Sequence, residues 1–169
     1  METGKNAGTI RSILSQTRNN TTTWIGQLQN EMLEHFGGQT FACPADGNLD
    51  NIQVYPTLVQ RPGEVQLTLH EFDDQSKNWD RSIASSKVYI ARKDQEHWVP
   101  FSLSRALMKK GKQYGFRLET RDAMIGIGEL ARGNDEPCDY GKEWNADSNN
   151  REGVFFSWFS LAFKVEMVA

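Results

Sequence analysis

The chain has 169 residues, of which 38% are hydrophobic and 24% are charged, and its formal net charge at pH 7 is −3. This length and composition predict a globular protein with a hydrophobic core of its own. They favour neither nucleic-acid binding nor membrane insertion, because the sequence has no basic cluster and no apolar run of about 18 residues.

The N-terminal part of the chain has apolar residues at helical spacing. Trp24, Leu28 and Met32 recur four residues apart, so they would share one face of a helix. We therefore predict an N-terminal helical extension over residues 1–38. Its apolar face packs on the rest of the chain or, through residues 8–36, on a second copy in a homo-oligomer.

From residue 39 onward the pattern changes to short strands that are separated by turns. Glu64–Phe72 and Gln113–Thr120 alternate apolar and polar residues, as strands with one buried face do. Pro44–Gly47 and Arg61–Gly63 are typical turn sequences. About eight such strands without helices between them predict an all-β, antiparallel two-sheet β-sandwich of jelly-roll type over residues 39–169.

The final stretch, Val154–Met167, is predicted to be one long core strand. One register places Phe159, Leu161 and Phe163 on the same face, which suits the interior of the sandwich. The other register begins with Phe156 and Trp158, which are too apolar to face water. We expect the N-terminal helix or the preceding loop to cover them.

That preceding segment, residues 133–153, reads as a long polar loop, and such loops in compact domains are often functional. Tyr140 and Trp144 could stack on a sugar ring or on an apolar partner surface. The side chains that could bond sugar hydroxyls are Asp139, Glu143, Asn145 and Asp147. A second reading makes the aromatic residues a lid on the sandwich edge.

Two further features of the sequence bear on ligands. Trp79, in a polar loop at residues 73–80, is another candidate contact aromatic, whereas Trp98 is expected to pack. No cofactor is indicated by a motif. Calcium remains an option because carboxylates cluster in the long loop, although they lack the alternation of an EF-hand. These carboxylates are Asp135, Glu136, Asp139 and Asp147.

The sequence offers no recognisable catalytic constellation. His35, His70 and His97 stand in three unrelated contexts, and His70 is expected to be a solvated strand residue. A glycosidase needs two carboxylates that face one cleft. The acidic residues that could supply them have no diagnostic spacing: Glu129, Asp139, Glu143 and Asp147. We therefore predict that the protein is not an enzyme.

Cellular location and redox state stay open at this point. The opening residues lack the apolar run of a signal peptide. The protein is expected to remain in the cytoplasm, to reach a surface by another route, or to have lost a leader. Cys43 and Cys138 could form a disulfide in an oxidising compartment, or both could be free thiols.

Four stretches together resemble jelly-roll modules found on many bacterial surface and glycan-active proteins. They are QTFACPADGNLDNIQVY, EVQLTLHEFD, WVPFSLSRALMKKGKQYGFRLE and FSLAFKVEM, and the resemblance covers residues 39–168. It implies the sandwich fold, a surface location and a tendency toward carbohydrate binding. Ser160 departs from the pattern, because the closing strand often has an acid there.

Two functional hypotheses follow, the first from the resemblance and the aromatic loop, the second from the predicted N-terminal helix and the absence of a signal peptide. The first is a noncatalytic binding module that holds a carbohydrate or a protein surface through its loops. The second is a structural subunit of a surface or particle-like assembly, in which the N-terminal helix makes the contacts between subunits.

Overall fold

The structure is a computed structural model that describes residues 8–27, 32–133 and 137–168. This part of the chain forms fourteen strands and one three-residue 3-10 helix at Arg92–Asp94. The strands are β1 (Ile10–Gln16), β2 (Thr21–Gln27), β3 (Glu34–Ala42), β4 (Gly47–Val54), β5 (Pro56–Arg61), β6 (Gly63–Asp73), β7 (Asn78–Ile90), β8 (Val99–Met108), β9 (Gln113–Thr120), β10 (Met124–Ala131), β11 (Glu143–Asp147), β12 (Asn150–Phe156), β13 (Phe159–Leu161) and β14 (Phe163–Val168).

The strands form two antiparallel sheets that pack as a sandwich. The smaller sheet has four strands in the order β1-β14-β4-β8. The larger sheet has ten strands, of which seven lie side by side in the order β13-β10-β2-β3-β9-β6-β7. The other three pair outside this row: β11 with β3, β12 with β11, and β5 with β10. The prediction of an all-β sandwich of two antiparallel sheets is confirmed, with more strands than the eight expected.

The hydrophobic core lies between the two sheets. Phe163 of the small sheet contacts two rings of the large sheet, with centroid distances of 6.0 Å to Phe41 and 5.8 Å to Phe116. All three side chains are fully buried. Removing a buried phenylalanine side chain typically costs about 3–5 kcal/mol, so contacts of this kind fix how the two sheets stack.

The predicted N-terminal helix is wrong. Residues 10–16 form β1, which pairs with β14, and residues 21–27 form β2, which pairs with β10. The apolar spacing suited a helix, but Thr21, Thr22 and Thr23 are β-branched and favour a strand. Pairing with β10 then gives the backbone N–H and C=O groups of β2 their hydrogen-bond partners. The helix proposed for subunit contacts is therefore absent from residues 8–27 and 32–38, and residues 1–7 and 28–31 lie outside the described part.

The predicted single strand at Val154–Met167 is also wrong in its continuity. It is divided among β12, β13 and β14, with a turn at Ser157 and Trp158. Each piece has different neighbours: β12 pairs with β11, β13 with β10, and β14 with both β1 and β4. The inward register is correct for Phe163, Val165 and Met167, which are all buried.

Within the described residues no helix is long and apolar enough to cross a lipid bilayer.

Candidate functional site

Much of the segment predicted to be a long polar loop is a β-hairpin. β11 pairs with β3 on one side and with β12 on the other. The carboxylate of Asp147 accepts hydrogen bonds from the backbone N–H groups of Asn149 at 2.9 Å and Asn150 at 2.8 Å, which stabilises the turn. The loop prediction therefore fails at residues 143–153, because polar residues conceal the alternating burial of a short strand.

The hairpin brings two predicted site residues together. Trp144 lies on the outer face of the large sheet, the face away from the core, and its ring is 5.3 Å from that of Trp79 in an edge-on arrangement. Phe72 and Phe155 complete this aromatic cluster. Trp144 is only 3% exposed and donates a hydrogen bond from Nε1 to the carbonyl of Glu152 at 2.8 Å. The Trp144 side chain thus covers part of the outer face of the large sheet.

Two glycines allow the indoles to lie against the sheet. A Cβ atom at Gly115 would be 2.6 Å from Cζ3 of Trp79. A Cβ atom at Gly38 would be 2.5 Å from the carbonyl oxygen of Phe116 and 3.1 Å from Cε3 of Trp144. Because real Cβ atoms do not approach so closely, the aromatic cluster depends on glycine at both positions.

A cation sits beside the same two tryptophans. The guanidinium carbon of Arg117 lies 5.1 Å from the Trp79 centroid and 5.9 Å from the Trp144 centroid, within the range of cation–π attraction. Arg117 also donates to Nε2 of His70 at 3.1 Å, so Nδ1 of that ring carries the proton and donates to the carbonyl of Asp80 at 3.0 Å.

The prediction of a solvated His70 is wrong, since only 6% of the residue is exposed. Burial lowers the pKa of His70, and the charge of Arg117 lowers it further. The ring therefore stays neutral and acts as an acceptor for the guanidinium. Burial likewise lowers the pKa of Arg117 from its ordinary value.

An open groove extends from this cluster along the outer face of the large sheet. Its first section has a volume of about 290 Å³ and its second about 580 Å³, and the two share Phe36, Glu119 and Arg151. We call both sections together the outer groove. The first section is also lined by Thr68, Arg117, Leu118 and Trp144, and the second by Glu34, Glu64, Gln66, Lys87, Thr120, Arg121 and Asp122.

The other predicted site residues do not join the groove. Tyr140 and Asp139 line a separate cleft of about 160 Å³, where Asp139 pairs with Arg132 at 3.5 Å. Asp147 belongs to the hairpin turn. Asp135 and Glu136 lie outside the described residues. Within residues 8–27, 32–133 and 137–168 no three His, Cys, Asp or Glu side chains form a metal cluster, and calcium binding stays a prediction.

The two cysteines are free thiols in this structure. Cys43 is buried beside β3, and its Sγ donates to the carbonyl of Ala45 at 3.1 Å. Cys138 is half-buried in the cleft that contains Tyr140. Burial raises the pKa of both thiols, which favours the unreactive protonated form.

Glu143 turns inward and meets Glu129, forming a buried carboxyl pair. Glu143 is fully buried and Glu129 is 6% exposed. Burial, then the hydrogen bond with Glu129 and its charge, raises the pKa of Glu143 to about 10, although Asn145 donates to Oε2 at 2.9 Å. At neutral pH the pair therefore holds a proton. Only the meeting of β10 and β11 creates this pair, so sequence spacing does not indicate it.

Sequence reasoning anticipated part of the groove. The alternation of apolar and polar residues in β9 correctly predicted that the side chains of Arg117 and Glu119 point away from the core. Phe36 was missed because it was assigned to the N-terminal helix, and Arg151 because it was assigned to a loop. Gly38 on β3 and Gly115 on β9 are the sequence signal that could have indicated bulky side chains packed on the outer face of the sheet.

Comparisons with known proteins extend these observations to the fold only. No protein-family description matches the chain, and no curated protein is similar in sequence. The chain is similar in structure to the cysteine protease and lectin-like domains of Cwp84, a surface-layer-associated protein of Clostridium difficile. The TM-score is 0.53 at 10% identity, and the match covers 88% of this chain and 36% of that one. At an identity this low, the structural likeness shows a shared fold and nothing more.

The aromatic cluster predicts a strong effect of one added methyl group. Gly38→Ala should lower the free energy of unfolding by about 1–3 kcal/mol, because the new Cβ overlaps the β9 backbone and displaces Trp144. Gly133→Ala is the control, since nothing lies within 4 Å of its Cβ position. Urea unfolding followed by tryptophan fluorescence measures both. Equal stability of the two variants would contradict this packing.

The buried carboxyl pair predicts an unusual pH dependence. A folded pKa of about 10 for Glu143, against 4.5 for the free group, gives a stabilisation that is complete below about pH 4.5 and declines up to about pH 10. The free energy of unfolding should therefore fall by as much as about 1.4 kcal/mol per pH unit in this range. Glu143→Gln should remove this slope, because its amide donates to Glu129 without a titrating proton.

Urea unfolding at pH 5, 7 and 9 provides the measurement. Glu152→Gln is the matched control, because its carboxylate is exposed on β12. Wild type and Glu152→Gln should become less stable as the pH rises, whereas Glu143→Gln should change much less. Parallel pH profiles for all three proteins would show that the pair does not retain its proton.

Proposed function

We propose that the chain is a noncatalytic carbohydrate-binding module that holds a glycan in the outer groove. The observation that carries this proposal is the groove itself, which is open, extends along a sheet face, and combines an aromatic ring with many polar side chains. Protein sites for sugars need both components, because the sugar presents an apolar face and a rim of hydroxyl groups.

The accessible aromatic ring of the groove is Phe36, because Trp144, which also lines it, is only 3% exposed. Its ring is half-buried on β3, and the guanidinium carbon of Arg151 lies 5.6 Å from the ring centroid. A ring held in this way by a strand backbone loses little freedom when a ligand stacks beside it. Arg151 is exposed on β12 and can move aside or donate hydrogen bonds to hydroxyl oxygens.

The polar elements stand in register across β6 and β9. Gln66 is directly opposite Glu119, and Thr68 is opposite Arg117. Successive pairs on one face of a sheet are about 7 Å apart along the strands. This ladder offers donors and acceptors at regular intervals to an extended chain of sugars.

The likeness to a solved structure and the sequence resemblance support the same proposal. The solved chain contains a lectin-like domain in a surface-layer-associated protein. The sequence resembles jelly-roll modules of bacterial surface and glycan-active proteins. Both lines of support concern the kind of module, and the groove supplies the site. A bacterial surface would be the corresponding location.

The buried carboxyl pair of Glu143 and Glu129 cannot act as the two carboxyl groups of a glycosidase. Glycoside hydrolysis needs one carboxylic acid and one carboxylate in contact with the sugar. Glu143 is fully buried and Glu129 nearly so, which leaves no surface for a substrate to contact. Their shared proton therefore lies in the interior of the fold, where it reduces the charge of the buried pair.

Two matched substitutions test the proposal. Phe36→Ala should weaken binding to the best glycan on an array by about tenfold or more, a loss of about 1.4 kcal/mol, because it removes the stacking surface. Tyr140→Ala, in the separate cleft, should leave binding unchanged. Thermal unfolding of both variants shows whether they remain folded. If only Tyr140→Ala abolished binding, the site would lie in the 137–142 segment.

A further inference from the structure

The Trp144 end of the outer groove holds two guanidinium groups without ionic partners. Among the described residues neither Arg117 nor Arg151 forms an ion pair with a carboxylate. Arg117 is half-buried, with two indole rings on one side and the neutral His70 on another. A partly desolvated cation without a counter-ion costs free energy, which an incoming anion would recover.

The charged groups that face this end leave it positive. Glu119 lies between the two sections of the groove, where its charge acts on Arg117 without forming an ion pair. Arg151 faces the same section from β12. Two cations therefore oppose one exposed carboxylate across a volume of about 290 Å³.

The far end of the groove has the opposite character. Its carboxylates are Glu34, Glu64, Glu119 and Asp122, against the bases Lys87 and Arg121 and the shared Arg151. The carboxylate of Glu64 lies 3.9 Å from Lys87, so one charge of each sign is paired and the remaining carboxylates still outnumber the remaining bases. A ligand with a negative charge on every sugar would be repelled here.

We propose that the outer groove selects a glycan with an isolated oxyanion substituent, a carboxylate or a sulfate, which binds between Arg117 and Arg151. This inference rests on the proposed function and names its ligand class. Uncharged or amino sugars occupy the far end, where carboxylates accept their hydrogen bonds. The charge on the ligand is therefore confined to the sugar nearest Trp144.

The two arginines contribute differently to this subsite. Arg117 is fixed by both tryptophans and by His70, so its planar donors are already oriented before the ligand arrives. Arg151 is exposed and stacks only on Phe36, so it closes over the oxyanion from the groove rim. Bonds from a guanidinium to an oxyanion are charge-assisted and directional, which favours an acid over a hydroxyl group.

Three small probes test the inference on the full chain by NMR titration at low salt: methyl glucuronide, glucose 6-sulfate and methyl glucoside. At least one acidic probe should bind about tenfold more tightly than the neutral glucoside, a difference of about 1.4 kcal/mol, because its oxyanion accepts a charge-assisted hydrogen bond. The comparison between the two acidic probes tells a carboxylate ligand from a sulfate ligand. Added salt should reduce the preference.

Arg151→Gln and Arg11→Gln are the matched variants. Arg151→Gln should bring the acidic and neutral probes to similar affinities, whereas Arg11→Gln, on β1 of the small sheet and outside the groove, should retain the preference for the acid. An equal affinity of wild type for all three probes, or a preference unchanged in Arg151→Gln, would overturn the acidic subsite. The groove proposal would survive either result if Phe36→Ala still weakened array binding. If no probe bound to wild type and the array showed no glycan, both proposals would fail.

Discussion

The pairing of β11 with β3 is the contact on which the candidate site depends. Trp144 and Glu143 are neighbours on β11, and the alternation of a strand sends one side chain outward and the other inward. The outward residue completes the aromatic cluster and one end of the outer groove. The inward residue forms the buried carboxyl pair with Glu129. A shift of one residue in this register would exchange the two, burying an indole in the polar position and exposing an acid on the aromatic face.

The carboxyl pair carries a cost that an apolar pair would avoid. Replacing buried charged or polar pairs with hydrophobic residues of similar volume is often neutral or stabilising. Here Asn145 donates a hydrogen bond to the carboxyl group of Glu143, and its Oδ1 accepts a hydrogen bond from Thr23 of β2 at 2.9 Å. The chain Glu143–Asn145–Thr23 thus ties β11 to β2, and hydrogen bonds of this kind specify register in a way that apolar contacts do not.

The sequence was informative where burial alternates and misleading where it does not. In β6, β9 and β14 one register is apolar and the other is polar, so the strands and their inward faces could be predicted. β2 lies within an apparent helical spacing, and its three threonines and its pairing with β10 and β3 make it a strand. β11 is polar in composition although Glu143 and Trp144 are buried. It pairs with the adjacent β12 in a hairpin and with β3, which comes from a distant part of the chain. The aromatic candidates Trp79 and Trp144 could be chosen by residue type, but their contact with each other could not.

The pairing of β1 with β14 has a consequence for how the chain folds during its synthesis. Ile10 is opposite Val168 and Gln16 is opposite Phe163, so β1 cannot pair until all the strands from β2 to β13 and then β14 itself have been translated. Until then β1 and β4 lack the strand that joins them in the small sheet, and Phe41 and Phe116 lack the ring that covers them. Folds with such distant pairings form slowly and expose apolar surface in the meantime. A nascent chain of this protein therefore remains vulnerable to aggregation until β14 has been translated and has paired with β1 and β4.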